Sequence, residues 1–138
     1  MVEQLDSIVE FSVDLNKQEE PEPLPTGEYV GVIRDAEVKI SARETRYAAV
    51  TFVISPEQYP ADFTEGHPDG TIIVYRRVSL EDNPQARWGT KRFIEAIGGK
   101  LSKAVDVSEW GGCEAAVEVV HEAYEGVTRP VISRVRAA

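Results

Sequence analysis

Arginine, lysine and tyrosine side chains fall into three groups along this sequence, and together they offer the chemistry of phosphate and base recognition. Cationic side chains bind phosphate groups, and flat aromatic rings stack on nucleic-acid bases. The groups lie around residues 39–47, 75–77 and 124–129. The candidate binding residues are Lys39, Arg43, Arg46, Tyr47, Tyr75, Arg76, Arg77, Tyr124 and Arg129.

No catalytic motif accompanies these groups. The sequence has no GxSxG turn, no Walker loop, no HExxH pair and no glycine-rich dinucleotide pattern. One cysteine, Cys113, and two histidines, His67 and His121, are too few for a typical structural zinc site. We therefore expect a protein that is not an enzyme and uses no cofactor. The rival, a metal-dependent nuclease, would use the acidic side chains of the loop at residues 55–70.

The elements that must position these groups follow a β-β-β-α-β-β order. A phase slip in the apolar alternation near Arg34-Asp35 predicts a β-bulge in the first strand. The helix is predicted over residues 87–97 and ends at Gly98-Gly99. A hairpin loop at residues 122–129 joins the last two strands. The predicted strands cover residues 28–40, 46–54, 71–80, 114–121 and 130–136.

This order is that of the OB-fold, a small barrel that often binds single-stranded nucleic acid. We predict a mainly β protein: a five-stranded OB-fold Greek-key barrel with one helix between strands three and four. Trp88 and Phe93 of the helix are expected to fill the end of the barrel. Arg76 and Arg77, as strand neighbours, are expected to point to opposite faces. The usual ligand surface is strands two and three, flanked by the first and last hairpin loops, where the three groups fall.

The charge of the chain is concentrated at its N-terminal end. The net charge is −9, and residues 1–22 hold seven acidic residues and one lysine, a net −6. We divide the chain into an acidic leader with a Pro/Glu linker, residues 1–23, and an OB-fold domain, residues 24–138. Apolar alternation from Val9 to Leu15 predicts a strand in the leader. That strand would pack on the domain, dock on a protein partner, or exchange between subunits of a homo-oligomer.

The sequence also argues against a membrane or secreted protein. No apolar run approaches the roughly 20 residues that span a bilayer. The N-terminus has no basic start followed by an apolar stretch. A single cysteine cannot form an internal disulfide, which favours the cytoplasm, or the host cytoplasm for a viral protein.

Several short motifs carry a family resemblance. The segment Pro25-Thr26-Gly27-Glu28-Tyr29 leads into the first strand, and Asp35-Ala36-Glu37-Val38-Lys39 and YAAVTFVI follow it. Asn83-Pro84 then precedes a helix that ends in Ala96-Ile97-Gly98. Over roughly residues 10–136, the chain resembles the small OB-type single-stranded-DNA-binding proteins of phage replication and recombination modules. It differs in having Ala42-Arg43-Glu44 where such proteins commonly carry glycine and lysine, and in an acidic segment that is N-terminal rather than C-terminal.

The resemblance implies a protein that binds single-stranded DNA with little sequence preference and protects or organises it. Residues 1–22 would then compete with DNA or contact replication or recombination proteins. The alternative is the same barrel used as a protein-interaction module, or as a DNA-mimicking inhibitor of a host protein, which the net charge of −9 favours.

Overall fold

The computed structural model describes residues 7–138, and its main feature is an antiparallel β-sheet with one long helix. The helix α1 (Pro84–Ile97) lies between the third and fourth strands in chain order, as predicted. Short 3₁₀ turns occur at Leu15–Lys17, Pro56–Gln58 and Val107–Trp110. The strands of the described region are β1 (Gly27–Ile40), β2 (Arg46–Ile54), β3 (Thr71–Ser79), β4 (Glu114–Tyr124) and β5 (Val127–Arg136).

The strands are arranged in the order β3-β2-β1-β4-β5, and all neighbours are antiparallel. Three consecutive strands with the fourth beside the first form a Greek key. Cα atoms of the edge strands β3 and β5 approach within 8 Å, although no backbone ladder joins them within the described residues. The described residues therefore form a five-stranded antiparallel sheet whose two edge strands lie near each other.

One face of the sheet, the core face, carries the buried apolar side chains. Phe52, Val117 and Val119 have no measurable exposure. Helix α1 covers this face with Phe93 and Ile94, since both are buried and share one side of the helix. The expected core role of Phe93 is confirmed.

Trp88 does not join this core, so the prediction for it was wrong. Its side chain is 58% exposed on α1. The aromatic plug comes instead from Trp110, which is 4% exposed and lies 5.2 Å from Phe93, ring centre to ring centre. Trp88 is thus an exposed indole that the core does not need.

Helix α1 begins three residues before the predicted start because its cap lies further upstream. Asn83 is the N-cap, and its side chain accepts a hydrogen bond from the backbone N–H of Ala86 at 2.9 Å. Pro84 follows at the first helical position, where a missing N–H costs nothing. The helix ends at Gly98, as predicted, with φ of 72° and its N–H bonded to the carbonyl of Glu95.

The connection between β4 and β5 is shorter than the predicted loop at 122–129. Both strands continue, and only Glu125 and Gly126 form the turn, with φ of 50° and 79°. Two positive φ angles in succession are those of a type I′ turn, whose twist matches antiparallel strands. The predicted centre of the loop, Glu125-Gly126, is thus confirmed, and only its length was overestimated.

The strand predicted in the leader does not form within residues 7–23. This segment contains only the turn at Leu15–Lys17, and Ile8 and Phe11 are 86% and 60% exposed. A strand needs a neighbour that completes its hydrogen bonds, and no strand of the sheet pairs with this segment. Residues 1–6, which share the predicted leader, lie outside the described residues.

The acidic segment meets the folded body at Leu24. This side chain is 2% exposed, and the Nε2–H of His121 donates a hydrogen bond to the carbonyl oxygen of Leu24 at 2.8 Å.

Of the helices in residues 7–138, none combines the length and apolar character that crossing a membrane requires.

The N-cap of α1 provides a test of how this helix is fixed. Replacing Asn83 by Ala leaves the N–H of Ala86 without its side-chain acceptor, and we expect a loss of about 1 kcal/mol in the free energy of unfolding. Urea denaturation followed by circular dichroism measures it. Asn16→Ala, on an exposed leader residue, is the matched control and should change stability by less than about 0.5 kcal/mol. Equal stability of the two variants would contradict the capping role.

Candidate nucleic-acid interface

The face opposite the core face, the outer face, brings part of the first two groups together. Lys39 on β1 lies directly opposite Tyr47 on β2, and Tyr47 lies opposite Ser79 on β3. Side chains on one face of directly opposed antiparallel residues are neighbours. Lys39 also forms an ion pair with Glu37 at 3.5 Å. The half-buried ring of Tyr47, with the Lys39 cation beside it, therefore lies on β2, the middle one of three adjacent strands.

A β-bulge in β3 adds two arginines to this surface. Val50 pairs with Tyr75 and Ala48 pairs with Val78, so Arg76 and Arg77 together oppose the single residue Ala49. Both arginine side chains are exposed. Their expected placement on opposite faces stays a prediction, because a bulge interrupts the alternation of the strand at this point.

We call Lys39, Tyr47, Arg76 and Arg77 the outer patch. Ala49, which the two arginines oppose, is two residues from Tyr47 on the same face of β2. No carboxylate of residues 7–138 forms an ion pair with Arg76 or Arg77. The patch thus offers an aromatic ring with two arginines available to an external anion, whereas Lys39 is paired with Glu37.

The hairpin loop between β1 and β2 contributes Arg43 but not Arg46. Arg43 is exposed in a tight turn where the Ser41 hydroxyl accepts a hydrogen bond from its backbone N–H at 3.3 Å. Arg46 alternates with Tyr47 and so belongs to the other face of β2. Its guanidinium is engaged with Glu81 at 3.8 Å. Arg46 therefore does not share the face of β2 that carries Tyr47, and its role in binding stays a prediction.

Tyr75 also lies away from the outer patch. It is two residues from the buried Ile73 and shares the core face with it. Its ring stacks on Phe93 at 5.9 Å with an interplanar angle of 18°. Burial raises the pKa of the Tyr75 phenol above its ordinary value of 10.0, and the positive charge of Arg77 acts in the opposite direction. Tyr75 is thus a wall residue beneath the helix rather than an exposed stacking ring.

The third group forms a separate pair on the last hairpin. Arg129 lies with its Cζ 5.8 Å from the ring centre of Tyr124, which is 61% exposed. The pairing of Gly27 with Val119 places this hairpin beyond the start of β1, whereas the Arg43 loop follows its end. The sheet therefore holds two basic-aromatic surfaces at opposite ends of its central strand.

The structure reveals a further basic and aromatic surface that the sequence groups did not include. A groove of about 690 Å³, the α1–β5 groove, lies between helix α1 and the end of β5. Trp88 lies on its wall, and Tyr75 and Phe93 also line it. Its charged lining residues are Lys91, Arg92, Arg134, Arg136 and Glu95.

The spacing of Trp88, Lys91 and Arg92 was the available signal for this groove. Residues three and four positions apart share one side of a helix. The cations lie 5.4 Å (Lys91 Nζ) and 5.7 Å (Arg92 Cζ) from the Trp88 ring centre. The contribution of β5 could not be found in the same way, because it depends on how the helix packs across the sheet.

The acidic loop considered for a metal site does not gather its carboxylates. Across the described part of the chain, no group of three histidine, cysteine, aspartate or glutamate side chains is placed to hold a metal ion. The loop is organised instead by Tyr59, whose ring packs edge-on against Phe63 at 5.2 Å and whose hydroxyl bonds to Thr71 at 2.9 Å.

Comparison with models of known protein families found no match to this sequence. A comparison with curated proteins also found no match.

The ionisation of Tyr75 tests its placement on the core face. Because burial favours the neutral phenol, its contribution to stability is full below pH 10 and is lost as the pH rises through the raised pKa. The difference between alkaline absorbance titrations of the wild type and Tyr75→Phe isolates this group. We expect its midpoint above 10, and a midpoint at or below 10 would contradict the burial of the phenol.

Proposed function

We propose that this protein is an OB-fold protein that binds single-stranded DNA with little sequence preference. The β4-β1-β2-β3 order, the helix between β3 and β4, and the approach of β3 to β5 support the barrel assignment. The observation that carries the functional proposal is the outer patch. In a chain of net charge −9, this surface on β1 to β3 holds three cations around one tyrosine.

Each part of this surface has a defined role in the proposal. Arg76, Arg77 and Lys39 bind phosphates, with Arg43 extending the cationic path along the first hairpin. Tyr47 stacks on a base, which is worth about 1–3 kcal/mol and tolerates any base because every base has a π-face. Tyr124 and Arg129 form a second stacking and phosphate contact at the other end of β1. Recognition of phosphates and ring faces alone explains why sequence preference is low.

The leader is proposed to regulate this surface. Residues 1–22 carry a net −6 and are covalently attached to the domain, so their local concentration near the cations is high. Carboxylates and phosphates compete for the same guanidinium groups. The exposed apolar side chains at Ile8, Phe11 and Leu15 offer contacts to replication or recombination proteins when the leader is displaced.

A second candidate function is supported by those same exposed apolar side chains. The barrel would then serve as a protein-interaction module or a DNA-mimicking inhibitor whose acidic, apolar leader contacts a host protein. This candidate predicts no binding of oligonucleotides by either the full chain or the chain lacking residues 1–22, and it places the functional contacts outside the outer patch.

The outer patch is tested by fluorescence anisotropy with labelled oligo-dT, and with duplex DNA and oligo-U of equal length. We expect the wild type to bind the single strand in preference to the duplex. Tyr47→Ala should weaken binding roughly 5- to 150-fold, the equivalent of about 1–3 kcal/mol, whereas Tyr47→Phe retains the ring and should bind nearly as well as the wild type. Equal weakening by both variants would count against stacking at Tyr47.

The cations are tested by the salt dependence of the same binding. Five phosphate contacts, through Lys39, Arg43, Arg76, Arg77 and Arg129, give a slope of log K against log salt of about −3.5. The double variant Arg76→Ala/Arg77→Ala should reduce its magnitude by about 1.4. Lys100→Ala, at an exposed residue remote from β3 in the sequence, is the control. No oligonucleotide binding by the wild type at low salt would refute the proposed function.

Removal of the leader tests its regulatory role. Deleting residues 1–22 retains the buried Leu24 and should raise the affinity for oligo-dT, most strongly at low salt, where charges are least screened. A full-length variant whose leader acids are replaced by Asn and Gln should behave like the deletion. Unchanged affinity in both proteins at low salt would show that the leader does not act on DNA binding.

A further inference from the structure

The α1–β5 groove concentrates positive charge in a protein that is acidic overall. Four cations line it against one carboxylate, Glu95. Only Arg136 among these cations is paired, with Glu28, within the described residues. Like charges held side by side on a helix and a neighbouring strand repel one another. An external polyanion would relieve that repulsion.

Trp88 gives this groove a second chemical property. The indole is exposed although α1 has an apolar face that buries other side chains, and Trp110 already fills the corresponding place in the core. Lys91 Nζ and Arg92 Cζ lie 5.4 and 5.7 Å from the centre of its ring. An exposed aromatic ring with cations beside it combines the two contacts by which single strands are bound, base stacking and phosphate binding.

The groove and the outer patch meet at β3. Tyr75, which lines the groove, directly precedes Arg76 and Arg77 in the bulge of this strand. β3 and β5 approach each other at this edge of the sheet.

We propose that the α1–β5 groove binds the continuation of the single-stranded DNA that occupies the outer patch. The strand passes the bulge at Arg76 and Arg77, and Trp88 stacks on a base beyond it. Lys91, Arg92 and Arg134 bind the flanking phosphates. This inference rests on the proposed function and extends the DNA path from the outer face of the sheet to the helix.

The test uses the full chain and oligo-dT of increasing length, from about 6 to about 20 nucleotides, which spans the site sizes of OB-folds. Label anisotropy reports binding, and intrinsic tryptophan emission reports stacking at the same time. Trp110 is buried, so Trp88 is the tryptophan that a base can reach. We expect quenching to develop only with oligonucleotides long enough to extend from the outer patch into the groove.

Substitutions then separate the groove from the patch. Trp88→Ala, at an exposed position, should abolish the quenching and weaken binding of the longest oligonucleotide roughly tenfold. Arg92→Ala/Arg134→Ala should reduce the magnitude of its salt slope by about 1.4. Lys100→Ala/Lys103→Ala removes the same charge from exposed residues outside the groove and should leave both the quenching and most of the affinity unchanged.

The possible failures are distinct. If the wild type binds oligo-dT without quenching, and Arg92→Ala/Arg134→Ala behaves like the control double variant, the groove is not part of the DNA path although the proposed function stands. If the wild type binds no oligonucleotide, the proposed function fails and this inference fails with it. If DNA leaves the emission unchanged but deletion of residues 1–22 alters it, the groove is occupied by the acidic leader and the inference is overturned.

Discussion

The whole fold depends on β1, which pairs with two neighbouring strands at the same time. Its first half pairs with β4 and its second half with β2, and the two ladders overlap at Gly31 and Val32. Phe52 and Val117 pack against the overlap from both sides, so that a Cβ on Gly31 would lie 3.1 Å from Phe52. A side chain at this position would require Phe52 to move by a few tenths of an ångström. Glycine at this point allows the two halves of the sheet to share a single strand and a single core.

The irregularities of the strands follow from that shared arrangement. β1 slips in register between Ile33 and Asp35; Ile33 is still opposite Phe52 of β2 and forms backbone hydrogen bonds to Gly112 and Cys113 at 2.7 and 2.8 Å. β3 slips where Arg76 and Arg77 oppose Ala49. Bulges bend a strand and re-aim its side chains. β3 also approaches β5, and the two arginines on which the proposed interface depends are exposed at its bulge.

The sequence predicted where the strands and the helix lie better than it predicted which face of the sheet each side chain occupies. The range of β2 was predicted correctly, and the slip near Arg34 was visible as a change in apolar phase. The bulge at Arg76 leaves no such mark, because neither arginine interrupts an apolar series. Tyr75 was grouped with these arginines by proximity in sequence, yet its ring faces Phe93. Which side of a strand a residue occupies is set by pairing between distant segments, and local pattern carries little of that information.

The distribution of charge explains how a chain of net charge −9 is compatible with the proposed binding of a polyanion. The leader holds −6, which leaves −3 for the rest of the chain. The Debye length is about 8 Å at physiological ionic strength, so charges beyond that distance are largely screened. In the proposed complex, phosphates contact Arg76, Arg77 or Lys39 directly, which is well inside that range. Acidic side chains farther than this from the cations are expected to weaken the proposed complex little, whereas the tethered leader can come within the Debye length of the cations and compete directly.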